Sequence, residues 1–238
     1  MDDRDLLKQE AVSALGNLIQ NVDKKLSGEE WANRLMEAVG SIRSIYESNR
    51  EDLVSDCGAT RPVAEAIDII DDLTRCVMRD EYRKKPVIKD PKTAAGYFQA
   101  LMYGRQIEYC YLMLLDARGK MIACPLMQKG TIDRSAVYVR HLALSAVRAK
   151  AKYAIVSHNH PGGNMFASQA DVQVTHAAME AFNTVGVILL DHLIVYGDRY
   201  ASIRESGTPT EKIWLNQNKE DKILIKWLSK DAPKAGRR

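Results

Sequence analysis

The sequence predicts an α/β protein: a mixed sheet flanked by helices, preceded by a small all-helical domain. Three observations carry this expectation. Over residues 1–80 apolar positions return every three or four residues, the helical period. From residue 93 onward, short apolar runs alternate with helical stretches and turn residues, the pattern of helices packed on a sheet. Between them stands RKKPVIKDPK (83–92), where charge and two prolines predict a linker. The expected domains are therefore 1–82 (helical), 83–92 (linker), 93–206 (α/β) and 207–238 (a basic helix and tail).

Taken in order, Leu7, Ala11, Leu15, Leu18 and Val22 mark the first helix. Ser27 with Glu30 three residues on is a capping-box start, opening a helix with Trp31, Leu35 and Val39 on one face. Another helix begins at about Pro62, a residue suited to a first turn, and carries Ile67, Ile70, Leu73 and Val77. Thr93 to Arg105 reads as a short helix. YCYLMLLD (109–116) and KMIACPL (120–126) read as strands joined by Ala117-Arg118-Gly119. The first is almost continuously apolar, which suits a central strand covered on both faces. Ser135 to Lys150 is a helix with Val139, Leu142 and Val147 inward; AKYAIVSH (151–158) is a strand and Ser168 to Val185 a helix. VILLDHLIVYG (187–197) and RYASI (199–203) close the sheet, and TEKIWLNQNKEDKILIKWL predicts one amphipathic helix before a frayed tail.

Composition excludes several classes. No apolar run approaches the roughly 20 residues of a membrane helix, and the acidic MDDRDLLKQE start has no signal-peptide core. Cys57, Cys76, Cys110 and Cys124 are widely spaced with no CxxC pair, which argues against a disulfide framework and for a reducing cytoplasm. The net charge of +3 hides a gradient: residues 1–80 carry 10 Lys/Arg against 17 Asp/Glu, residues 81–210 carry 16 against 10, and residues 211–238 carry 8 against 4. Nucleic-acid affinity rests on neutralised phosphates, so the acidic first third makes a poor DNA surface and the basic remainder a weak, salt-sensitive one. Oligomeric state is not legible.

The chemistry concentrates at SHNHPGG (157–163). In a strand, residues i and i+2 share a face, so His158 and His160 can reach one ion at a strand end that Pro161 terminates. Alone, the pair reads equally well as a solvated strand end, because a zinc site with an open position needs three protein ligands. Ser168 and Asp171 follow at the start of a helix, a spacing that an acidic capping box explains without any metal. Glu108 opens the apolar strand, either as an exposed edge residue or as a carboxylate that needs a partner.

The segment HNHPGGNMFASQAD (158–171) runs His-x-His-Pro, six residues, then Ser-x-x-Asp, and it resembles the signature of JAB/MPN+ (JAMM) metalloproteases, closest to their RadC branch. EYCYLMLLD, KGTIDRSAVYVRHLALSAVRAKAKYAIV and GVILLDHLIVYGDRYASIRE are similar to the family's strands and long helix, so the resemblance covers 93–206. It implies a cytidine-deaminase-like JAB/MPN fold, with His158, His160 and Asp171 binding one Zn²⁺. It further implies Glu108 as general base, Ser168 as oxyanion donor, and hydrolysis of a peptide or isopeptide bond in a protein or peptide substrate. The alternative implied by the same branch is a DNA-associated accessory protein with a structural zinc. A nuclease reading of His-Asn-His does not suit the spacing to Asp171.

Departures from the family pattern touch the loop and cleft rather than the ligands. Gly162 replaces a usual Ser, Ala167 a usual Pro, and Val139-Arg140-His141 a usual Pro-Arg-acidic sequence. His141 and His176 read as helix-surface or packing residues, and Asp191-His192, a family feature beside the sheet, as a pair that either supports the site from behind or is structural, rather than as metal ligands. Gly58-Ala59-Thr60 resembles a degraded helix-hairpin-helix whose second glycine is lost, which weakens any phosphate nest.

Overall fold

A computed structural model describes residues 3–48, 50–80, 86–130 and 136–206, together with Trp227, and divides into two compact units, 1–77 and 78–238. The first contains helices α1 (Asp3–Val22), α2 (Gly28–Val39), α3 (Ile42–Glu47), α4 (Arg50–Ser55) and all but the last turn of α5 (Arg61–Asp80). The capping box predicted at Ser27 and Glu30 forms as expected and starts α2. α1 and α2 cross at Gly16 and Gly28, where a Cβ on Gly28 would collide with the Gly16 carbonyl. Their core joins Leu15, Ile19, Trp31, Leu35, Ile45, Leu53, Val63 and Ile67.

Two predicted faces are displaced. α1 buries Ile19 completely and leaves Val22 exposed. In α5 the buried cluster ends at Ile67, so Leu73 and Val77, expected inward, are 59% and 64% exposed. What that half of α5 buries is Arg75, paired with Asp71 and Asp72 on its own helix.

The second unit runs α6 (Pro91–Met102), β1 (Tyr109–Leu115), β2 (Met121–Ala123), β3 (Leu126–Lys129), α7 (Ala136–Arg148), β4 (Tyr153–Asn159), α8 (Gln169–Thr184), β5 (Ile188–Tyr196) and β6 (Arg199–Ser202). The strand order is β2-β1-β4-β5-β6, with β3 also on β1. β4 and β5 are parallel and the other pairs antiparallel, so the sheet is mixed, as predicted. α6 covers one face, where Phe98, Met113, Leu115, Ile155, Leu193 and Trp227 pack together. α7 and α8 cover the other, with Leu112, Leu114, Leu142, Val156, Val174 and Phe182. Burial on both faces is what makes β1 read as an almost unbroken apolar run.

Three local expectations are corrected, and a fourth falls outside the described residues. The linker predicted at 83–92 is part of the second unit from Pro86 on: the Met121 N–H donates to the Pro86 carbonyl (3.0 Å), the Ile88 N–H to the Gly119 carbonyl (2.8 Å), and Ile88 lies in the core. The strand predicted at 120–126 is two strands, because Cys124-Pro125 interrupts the ladder and β3 resumes at Leu126. In α7 it is Ala146, not Val147, that faces the sheet; Val147 is 49% exposed. The C-terminal helix predicted within 207–238 lies outside the described residues except for Trp227, which is fully buried.

Candidate metal centre

The site forms where β4 ends beside the start of α8. β4 carries His158 at its buried end, and His160 follows one residue beyond the strand. The His160–Gly163 turn, closed by the Gly163 N–H on the His160 carbonyl (2.9 Å), needs the positive φ of Gly163. It returns the chain so that the Asn164 carbonyl lies 2.7 Å from His160 Nδ1. A carbonyl only accepts, so His160 carries its proton on Nδ1 and turns the Nε2 lone pair inward.

Asp171 comes from α8. Ser168 caps that helix, and the capping box read from the sequence is present: Ser168 N–H and O–H both donate to Asp171 Oδ2 (2.7 and 2.6 Å). Asp171 Oδ1 is left 3.3 Å from His158 Nε2, while Oδ2 lies 3.6 Å from His160 Nε2. The two Nε2 atoms are 2.8 Å apart. His158, His160 and Asp171 thus offer two imidazole nitrogens and a carboxylate oxygen, all within 4.8 Å of one another. That donor set fits a divalent ion with borderline nitrogen and oxygen preferences and leaves a position open. The capping reading of Ser-x-x-Asp is present, and it leaves the Asp171 carboxylate among the imidazole nitrogens, so neither role excludes the other.

Charge states follow from burial and neighbours. Burial, then the adjacent His192, push His158 well below the ordinary histidine value. His192 is lowered to about 4, again by burial first. Burial also opposes a charge on His160, but Asp171, the Asn164 carbonyl and the nearby Glu108 outweigh it and raise its pKa. Asp171 is buried too, yet His160, His158 and His192 hold its carboxyl below the usual carboxylate range.

Glu108 stands immediately before β1. Cys110 pairs with His158, so Glu108, two residues earlier, comes opposite His160, two residues later. Its backbone carbonyl accepts from the Gly130 N–H (2.8 Å), and its side chain is partly exposed beside the cluster. His141 is exposed on α7 and His176 is half-buried on α8; neither joins the cluster.

Two contributors, Asn159 and Thr175, escape a reading of motifs, and His192 stands behind His158 as one reading of the Asp191-His192 pair expects. Asn159, the middle of His-Asn-His, points to the opposite face: its Oδ1 accepts from the Tyr109 N–H (2.7 Å) and its Nδ2 donates to the Ile107 carbonyl (3.0 Å). It therefore clamps the segment that carries Glu108. His192 on β5 places Nε2 2.9 Å from His158 Nδ1, and Thr175 on α8 places Oγ1 2.6 Å from His192 Nδ1. Alternation around the motif points to Asn159, and the i+4 spacing from Asp171 points to Thr175; His192 reaches the site only through β4–β5 pairing.

A family model described as RadC-like JAB domain matches residues 88–208. A UPF0758 protein of Bordetella petrii is 29% identical over 178 residues, covering 75% of this chain and 79% of the relative. One from Bordetella parapertussis is 30% identical over 173 residues (73% and 77%). One from Neisseria meningitidis is 26% identical over 193 residues (81% and 86%).

Proposed function

This chain belongs to the RadC-like JAB domain family, and on that premise we propose that it is a zinc-dependent metallohydrolase that cleaves peptide or isopeptide bonds. The observation that carries the reading is the convergence of His158 Nε2, His160 Nε2 and an Asp171 oxygen, each ligand held from behind by its own hydrogen bonds. A zinc ion held there supplies Lewis acidity, polarising a scissile carbonyl and lowering the pKa of water beside it.

The chain's own residues do the rest. Glu108, opposite His160, takes a proton from the attacking water and returns it to the leaving amine, so the C–O bond forms as the C–N bond breaks. Asn159 holds the backbone that presents Glu108. Ser168 serves as oxyanion donor by rotating its O–H off Asp171 Oδ2, while its N–H continues to hold the carboxylate.

DNA association, the other reading, has less support. At the degraded hairpin, Thr60 Oγ1 donates to Asp23 Oδ2 (2.7 Å), so a negative carboxylate already takes that hydroxyl and disfavours a phosphate beside it. Among the described residues no helix is long and apolar enough to cross a membrane.

The test is Glu108→Gln. It binds zinc with wild-type stoichiometry, retains captured peptide or isopeptide substrates, and hydrolyses them at least about 100-fold more slowly than wild type, the low end for a lost general base. Loss of zinc, or turnover near the wild-type rate, overturns the role given to Glu108.

A further inference from the structure

A chain of hydrogen-bonding groups runs from helix α8 to the back of His158. Thr175 Oγ1 lies 2.6 Å from the Asp171 carbonyl and 2.6 Å from His192 Nδ1, and His192 Nε2 lies 2.9 Å from His158 Nδ1. Thr175, His158 and His192 are all within 1% of complete burial, so water does not substitute for a missing partner.

Each neutral imidazole has one N–H and one lone pair, and the threonine has one O–H, so the chain has two self-consistent directions. In the first, Thr175 O–H donates to His192 Nδ1, His192 Nε2–H donates to His158 Nδ1, and His158 Nε2–H points into the cluster. There it meets the His160 Nε2 lone pair at 2.8 Å and Asp171 Oδ1 at 3.3 Å, the acceptors that want a hydrogen when no cation is present. In the second, His158 Nδ1–H donates to His192 Nε2, His192 Nδ1–H donates to Thr175 Oγ1, and Thr175 O–H donates to the Asp171 carbonyl. His158 Nε2 is then a bare lone pair, which is what a metal requires.

We infer that Thr175 and His192 are positioning residues that form a reversible tautomer relay, pointing inward in the metal-free protein and outward when His158 ligates the ion. Both directions hold the same three protons. On reversal the Thr175 proton passes to His192 Nδ1 and the His192 Nε2 proton passes to His158 Nδ1. The His158 Nε2 proton leaves to water as the cation enters, and a proton from water reached by local opening replaces the one Thr175 gave up. The double placement of Thr175 Oγ1 makes this work, because it can donate to either neighbour and accept from His192. The His192 backbone is held in place for this relay by its N–H, which donates to Asp191 Oδ1 (2.8 Å) at the β-bulge where Ile155 pairs with Asp191. Supporting groups of this kind hold a histidine ligand's orientation and basicity.

The inference rests on the metal reading of the cluster, and its test separates the two. Long-range ¹H–¹⁵N spectra of the histidines in the wild-type chain give the tautomers directly. His158 and His192 carry Nε2–H without metal and Nδ1–H with one equivalent of zinc. Thr175→Val keeps the shape but removes both the acceptor and the donor, and weakens zinc binding about 10- to 100-fold in chelator competition. Thr175→Ser restores it to within about threefold of wild type. Failure of the wild-type chain to take up zinc overturns the metal reading itself. Zinc uptake with an unreversed His192, or a folded Thr175→Val with wild-type affinity, overturns the relay alone.

Discussion

Two buried aspartates, one on each side of the sheet, are treated in opposite ways. Asp191 is surrounded by donors: Ser202 Oγ (2.8 and 2.9 Å), the His192 N–H (2.8 Å) and Trp227 Nε1 (3.4 Å), with the Arg204 charge nearby. Asp171 takes both of its cap donors on one oxygen, Oδ2, and its other oxygen faces the Nε2 nitrogen of His158. A carboxylate whose acceptor sites are filled by the fold is structural. One whose two oxygens each face a different imidazole nitrogen, at 3.3 and 3.6 Å, has the arrangement of a candidate cation ligand. The contrast in partners, rather than burial itself, separates the candidate metal centre from the packing core.

Replacing each aspartate breaks the comparison most sharply. Asp191→Ala strands the Ser202, His192 and Trp227 donors in the core and costs about 3 kcal/mol or more in urea unfolding of the metal-free chain, while one zinc site remains. Asp171→Ala abolishes zinc binding yet costs only about 1 kcal/mol, the value of its part in the α8 cap. Equal stability losses, or zinc lost in the Asp191 variant, would erase the distinction.

Acid sharpens the same contrast. The unfolded chain protonates His192 near pH 6.5, whereas in the folded chain its pKa is about 4. Between these values the unfolded state binds more protons, so stability falls as pH drops, by on the order of 3 kcal/mol from this group. His158 adds a loss of the same sign, and His160, with its raised pKa, opposes both. Asp191 is also raised, by burial first, so its side of the sheet gains stability as the carboxyl protonates. The expected outcome is a melting temperature of the metal-free chain that declines from about pH 6.5 to about 4. A flat profile there, or a rise, contradicts the buried neutral histidines.

Much of this was legible in the residue order. His158, His160, Ser168 and Asp171 lie within one short segment, so strand alternation and helix capping alone bring them close. Most elements followed from apolar period and caps. What the order hides is pairing at long range. His192 lies 34 residues from His158 and meets it only through the parallel β4–β5 register. Leu73 and Val77 keep the helical period of a buried face although the cluster that would cover it stops at Ile67. Pro86 to Ile88 carry linker composition but lie against the β1–β2 turn, a contact that composition does not encode.

The central claim is that His158, His160 and Asp171 form one metal site. Zinc titration of the metal-free wild-type chain, beside His158→Ala, tests it most directly. The account predicts close to one tightly held zinc per chain in the wild type and none in the variant. Absence of uptake by the wild type, or equal uptake by both, would contradict it.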